Sequence, residues 1–187
     1  MVGRPVSIST LRKGPVVWMN EVQTVRNALV SGLHEHTGRP VVMLEQAQKK
    51  PSYPFLGYKL TTPYAPESGQ PVETWEPVPG QGQDFESDIQ YTQTEQPQLI
   101  VSFTAYSMND EAALELALQA HAWLSYFGRE YLTDHHLVLV EITPVQNRDV
   151  LVVEDYERRQ GFDATFRTAL QRMKVVPSIE SAELGEE

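Results

Sequence analysis

The 187-residue chain has no cysteine. That excludes a disulfide framework, a thiolate nucleophile and any metal site built on thiolate ligands, and it suits a reducing compartment. Long apolar runs are also missing. The N-terminus, "MVGRPVSISTLRKGP", has no apolar centre of signal-peptide length, and runs such as "LVLV" at 137–140 are strand-sized. A membrane-spanning helix needs about 20 apolar residues. The expectation is a soluble protein made in the cytoplasm, with no membrane partner.

Positive charge is missing from the middle of the chain. The formal net charge is −10, yet residues 1–50 hold seven Lys/Arg against Glu21, Glu35 and Glu45. From Leu60 to Gly128 there is no Lys or Arg, while Glu67, Glu73, Glu76, Asp84, Glu86, Asp88, Glu95, Asp110, Glu111 and Glu115 all fall there. Nucleic-acid affinity rests largely on neutralising phosphates with Lys and Arg, so this span is a poor grip for DNA or RNA. It reads either as a solvated acidic surface or as a surface that DNA passes without sticking.

Catalytic signatures are scarce as well. There is no GxxxxGK[ST] loop and no GxSxG elbow, and "GQG" at 80–82 lacks the strand–turn–helix setting of a dinucleotide site. The densest titratable groups are Asp134-His135-His136 and His34-x-His36. Adjacent histidines in a strand point to opposite faces, and the helical spacing of the other pair separates them, so neither suits a metal. His121 reads as a core-edge residue of a helix. Asp84, Glu86 and Asp88 have no nearby base to hold a phosphate substrate, so they read as surface acids. A non-enzyme without metal or cofactor is expected. A small metal-dependent hydrolase or nuclease using these acids, or Asp134 and His135, is the alternative from another class.

The remaining residues predict an α+β fold, a mostly antiparallel sheet flanked by helices on one side. A helix is expected over 21–35, capped by Asn20 and stopped at Thr37-Gly38, with Val22, Val25, Ala28, Leu29 and Leu33 on one face. Strands are expected at 39–48 and 53–62. Residues 63–83, with Pro63, Pro66, Pro71, Pro77 and Pro79, read as a long loop around Trp75. A Trp there either folds back onto the core or anchors a partner subunit. Segments 84–94 and 96–107 predict a hairpin turning at Glu95–Pro97. The strongest helix signal follows, capped by Asn109 or Ser107, with Ala113, Leu116, Ala117, Ala120, Leu124 and Phe127 as its apolar stripe. Gly128 ends it before a short helix at 129–134. A second hairpin is expected from 137–146 and 148–159, then a last strand over 162–170 with Phe162, Ala164 and Phe166 on one side. Three regions result: an N-terminal extension (1–17), one α+β domain (18–176) and an acidic, disordered tail (177–187).

Four stretches in order carry a resemblance: "YPFLGYKLT" (53–61), "LIVSFTAYSMNDEAALELA" (99–117), "WLSYFGREYL" (123–132) and "QNRDVLVVEDYERRQGFDATFR" (146–167). Together they resemble the neck/tail terminator family of tailed bacteriophages and prophages, over roughly 20 to 170. The Pro-rich segment matches least. The resemblance implies a structural virion protein, assembled in the host cytoplasm as a homo-oligomeric, hexameric ring at the head-proximal end of the tail. Such a ring ends growth of the tail tube, and of any sheath, and presents the surface on which head-connector or adaptor proteins dock. Genomic DNA passes through it without specific binding. A stopper or adaptor ring of the same connector is the neighbouring alternative.

Within that frame the two-sign run Glu157, Arg158, Arg159 is expected at a subunit interface. Exposed ion pairs contribute only about 0–1 kcal/mol inside one chain, whereas a repeated contact uses them to fix register. Gly161 is expected to bend the chain into the last strand. Trp75 is expected at the same interface, and Asp84, Glu86 and Asp88 on the channel wall.

Overall fold

The structure, a computed structural model, describes residues 17–46, 49–66, 69–80, 87–152 and 155–177. Helix α1 (Val17–Thr37) begins before the expected start, so Asn20 lies inside it rather than capping it. Its stripe of Val25, Ala28, Leu29 and Leu33 is buried, and Gly38 ends it with a φ of +62°. Strand β1 (Val41–Met43) is far shorter than the expected 39–48, because the chain turns at Leu44 and at Glu45, whose φ is also +62°. Strand β2 (Phe55–Ala65) comes next.

The Pro-rich segment departs most from expectation. Residues Val72–Pro79 form strand β3, paired along its length with β4 (Ser87–Glu95). Proline is tolerated in an edge strand whose free side needs no donor. Pro77 and Pro79, two residues apart, leave their missing N–H groups on that same side of β3.

Nor do β4 and β5 (Gln98–Ser107) form the expected hairpin. They run on in the same sense, and only their partners change. Strand β5 leads into α2 (Asp110–Ala122), where Asn109 Oδ1 accepts from the Ala112 N–H at 3.2 Å. A single π turn (Trp123–Phe127) leads through Gly128 to α3 (Arg129–Asp134). A π turn takes an extra residue, which rotates the side chains beyond it about the helix axis. Phe127, which a 3.6-residue period places in the core, is therefore 65% exposed. His135 and His136 lie in the turn after α3, not in a strand.

The last elements are β6 (Leu137–Ile142), β7 (Gln146–Asn147), β8 (Val150–Val152), β9 (Asp155–Thr168) and β10 (Leu170–Pro177). Strand β9 is continuous through the charged run, so residues 157–159 are not a connection between strands. Gly161 lies mid-strand and makes no bend. A Cβ there would sit 2.6 Å from the Phe103 carbonyl oxygen and 2.9 Å from Arg148 Cδ, so glycine answers a close approach.

The main sheet has the order β1-β2-β5-β9-β6, with β7 and β8 also on β9. Every pairing is antiparallel except β1 with β2. The fold is α+β. On one face Leu99, Val101, Phe103, Ala105, Phe162, Ala164 and Phe166 meet Leu116, Ala117, Ala120 and Leu124 of the helical layer, all buried. The indole of Trp123 fits against Gly32 and Gly128, where a Cβ would approach within 2.4 Å and 2.5 Å.

The second sheet, β10-β4-β3, continues the first. Gln98 pairs with Arg167 on β9, and Glu95 pairs with Leu170 on β10. Central strands β5 and β9 thus run straight into β4 and β10, with one residue between β9 and β10. Strands β3, β4 and β10 form an arm. Nearly all of β3, and residues 171–176 of β10, are exposed.

Candidate functional site

The charged run of β9 is largely satisfied within the chain. Glu157 is only 5% exposed. Its Oε1 accepts from Arg159 Nε at 2.7 Å, and Arg159 Nη2 lies 2.6 Å away. Its Oε2 accepts from Lys50 Nζ and from the Tyr53 hydroxyl. Arg159 also lies over the Tyr106 ring, 5.2 Å from its centroid, and that ring stacks on Phe55 at 4.8 Å. Burial pushes the Tyr106 hydroxyl above its ordinary pKa, although Arg159 and Arg148 pull the other way.

Asp149 ties in the neighbouring turn. It accepts from the Arg159 backbone N–H at 2.6 Å, from Arg158 Nη1 at 3.0 Å and from Asn147 Nδ2 at 3.2 Å. Burial alone would raise its pKa; these donors outweigh it and hold the carboxyl below its ordinary value. Arg148 crosses β9 above Gly161, donating to Ser102 Oγ at 2.8 Å and Asp163 Oδ1 at 3.2 Å. The cluster thus ties the 50–53 segment and the 148–149 turn to the central strand. Sequence pattern gives no sign of Lys50, Tyr53, Arg148 or Asp149 as members. Lys50 stands 107 residues from Glu157, and no local spacing signals such a pair.

The other predicted residues lie apart. Trp75 does not fold back onto the core; it is 59% exposed on β3, with its ring 4.5 Å from that of Tyr91 on β4. Lys174 of β10 sits over the same Tyr91 ring, 4.6 Å from its centroid. Asp88 is buried on β4, so it is not an exposed wall acid within the subunit. Asp84 and Glu86 lie outside the described residues. Tyr131 O is 2.8 Å from His135 Nδ1, and the two rings stack at 4.2 Å. His121 meets Phe162 edge-on at 5.2 Å, at the core edge as expected. Among the described residues no three His, Asp or Glu side chains converge as a metal site, and no helix is long and apolar enough to cross a membrane.

What stands out instead is apolar surface. Val72, Trp75, Met173, Val175 and Val176 are exposed on the arm, and Met108, Leu114, Leu118, Tyr126 and Phe127 along α2 and the π turn. Patches of this kind mark surfaces that other proteins cover. An α+β subunit with apolar side chains exposed along α2 and on both faces of its arm, Trp75 and Val176 on one and Val72, Met173 and Val175 on the other, is of the class built into assemblies. The phage neck terminator protein family matches residues 27–186, and the chain belongs to that family. It is therefore a structural protein of the phage neck, part of the virion and in contact with other virion proteins. Comparison with curated proteins gives no match.

Proposed function

We propose that this chain is the ring subunit that ends tail assembly at the head-proximal end and presents the surface on which the head docks. The family match over 27–186 carries this reading. The exposed apolar side chains of the arm and of α2 support it, since each subunit of a ring meets two neighbours. The ring is hexameric, it forms in the host cytoplasm, and the viral DNA passes through its centre unbound. Trp75 on the arm and Arg158, partly exposed beside Asp149, lie at contacts with other subunits. Glu157 and Arg159 hold the strand that presents them.

The test is negative-stain imaging of purified protein, with light scattering for mass, followed by incubation with purified tail tubes. Closed rings that cap one end of each tube are the expected result. Protein that binds heads but leaves tubes uncapped refutes the terminator role and indicates a stopper or adaptor ring.

A further inference from the structure

The two long edges of the arm differ. Proline has no N–H, so Pro77 and Pro79 turn away from β4, and Glu73 and Trp75 turn with them. Donors are thus missing from the outer edge of β3, a device that keeps other strands off. The same alternation fixes the rest of the ladder. Tyr91, opposite Trp75, turns its N–H and C=O to β10 at Lys174. The N–H and C=O groups of Gln171, Met173 and Val175 therefore point outward from β10. Proline does not interrupt that edge before Pro177, and β10 has no second partner among the described residues. An edge of this kind is a template for another strand.

The chain carries a segment that fits it. Residues 1–16 lie outside the described residues, and their sequence contains a strand pattern. In "PVSISTL" (5–11), Val6, Ile8 and Thr10 alternate with Ser7 and Ser9. Gly14-Pro15 is a turn signal, and α1 begins at Val17, which leaves residues 12–16 as a connection of ordinary length. Helix α1 also starts on the side of the arm. Its C-terminal end leads through Arg39 into β1, where Val41 pairs with Leu56 and so lies level with Ala105, toward the end of β5 farther from the arm. The contact of α1 with β10 therefore falls in its N-terminal half.

We propose that residues 6–10 add to the β10 edge of their own subunit as a fourth strand of the arm. Leu11 leads toward α1 at the joint, so the segment runs from the tip of the arm inward, antiparallel to β10. Val6, Ile8 and Thr10 exchange backbone hydrogen bonds with Val175, Met173 and Gln171. In this register Val6 and Ile8 pack beside Val175 and Met173, two of the exposed apolar side chains of the arm. Ser7 and Ser9 fall opposite Lys174 and Arg172. The added strand closes the open edge of the arm to other chains. This inference stands apart from the ring reading.

Amide hydrogen exchange on dispersed protein, read residue by residue by NMR, tests it. In the full chain Met173 and Val175 should exchange at least tenfold more slowly than in Ile8→Pro, which puts a residue without N–H at a paired position. Ser7→Pro should keep the protection, because the Ser7 N–H faces solvent. Arg172 and Lys174, whose N–H groups are bonded to β4, are the internal control and should change less than about twofold. The absence of cysteine permits a second measurement. Ser7 and Lys174 form a non-hydrogen-bonded pair, whose Cα separation of about 4.5 Å suits a disulfide. The oxidised double variant Ser7→Cys, Lys174→Cys should be linked within one chain and keep the mass of a monomer. Equal exchange at Met173 and Val175 in the full chain and in Ile8→Pro overturns the proposal, and so does a change of the same size at Arg172 and Lys174. Links between chains assign the edge to a neighbour's segment and overturn it as well.

Discussion

Replacing Glu157 by Gln keeps the shape of the side chain and removes its charge. The carboxylate is 5% exposed and serves three side-chain donors, from Arg159, Lys50 and Tyr53. Breaking a fully buried pair costs about 3–5 kcal/mol, because the abandoned partner stays uncompensated. Here the partners have an escape: the side chains of Lys50 and Arg159 are 50% and 27% exposed and can turn to water. The cost is therefore set by the lost charge-assisted hydrogen bonding, about 1.5–3 kcal/mol. In a chain of this size that lowers Tm by about 3–12 °C. The measurement is thermal unfolding followed by circular dichroism on dispersed protein, with urea midpoints as a check. Arg159→Ala closes a double-mutant cycle, whose coupling should be about 1–2 kcal/mol. A Tm change below about 1 °C for Glu157→Gln, or strict additivity in the cycle, would show that the cluster does not hold the subunit together.

Three further outcomes rest on neighbouring contacts. The pKa of Asp149 is lowered in the folded state, so its contribution is present above the unfolded carboxyl value near 4 and is lost as pH falls through the folded one. Asp149→Asn should thus lower stability at pH 7 and flatten the acid limb below about pH 4; an unchanged acid limb in pH-dependent melting refutes this. Gly161→Ala should cost about 1–3 kcal/mol, since the Phe103 carbonyl cannot swing aside as a side chain can. The penalty should persist in an Arg148→Ala background, and its disappearance would assign the crowding to Arg148. Trp75→Ala removes one cross-strand pair on an exposed face, worth about 0.2–1 kcal/mol. It should leave melting nearly unchanged while reducing ring yield, and a large drop in Tm would mean that the arm packs on more than itself.

Much of the body of the fold is legible as pattern. The alternation at 99–105 and 162–166 places the core residues where the structure has them, all at 0–1% exposure. The Asn109 cap and the acidic first turn fix the start of α2. Where pattern fails, partners distant in sequence decide the outcome. "EQP" at 95–97 resembles a turn, yet the pairing of Glu95 with Leu170 and of Gln98 with Arg167 carries the chain straight on. Prolines 77 and 79 argue against a strand until β4 supplies its one required ladder. The run at 157–159 reads as surface charge because Lys50 and Tyr53, which bury and pair Glu157, lie a hundred residues earlier. Phe127 leaves the core for a local reason, a π turn that no helical period announces.

The joint between the two sheets has a mechanical meaning. Because β5 runs into β4 and β9 into β10, a pull on the arm along its length is borne along the axes of the two central strands of the body. Ladder hydrogen bonds in an antiparallel sheet lie across that direction, so they are loaded side by side in shear rather than peeled one at a time. The ladders that β5 makes with β2 and β9 with β6 resist that pull together. A force applied to the tip of the arm would have to slide the central strands out of the subunit before the arm could come away from it, which suits a structural protein of the phage neck.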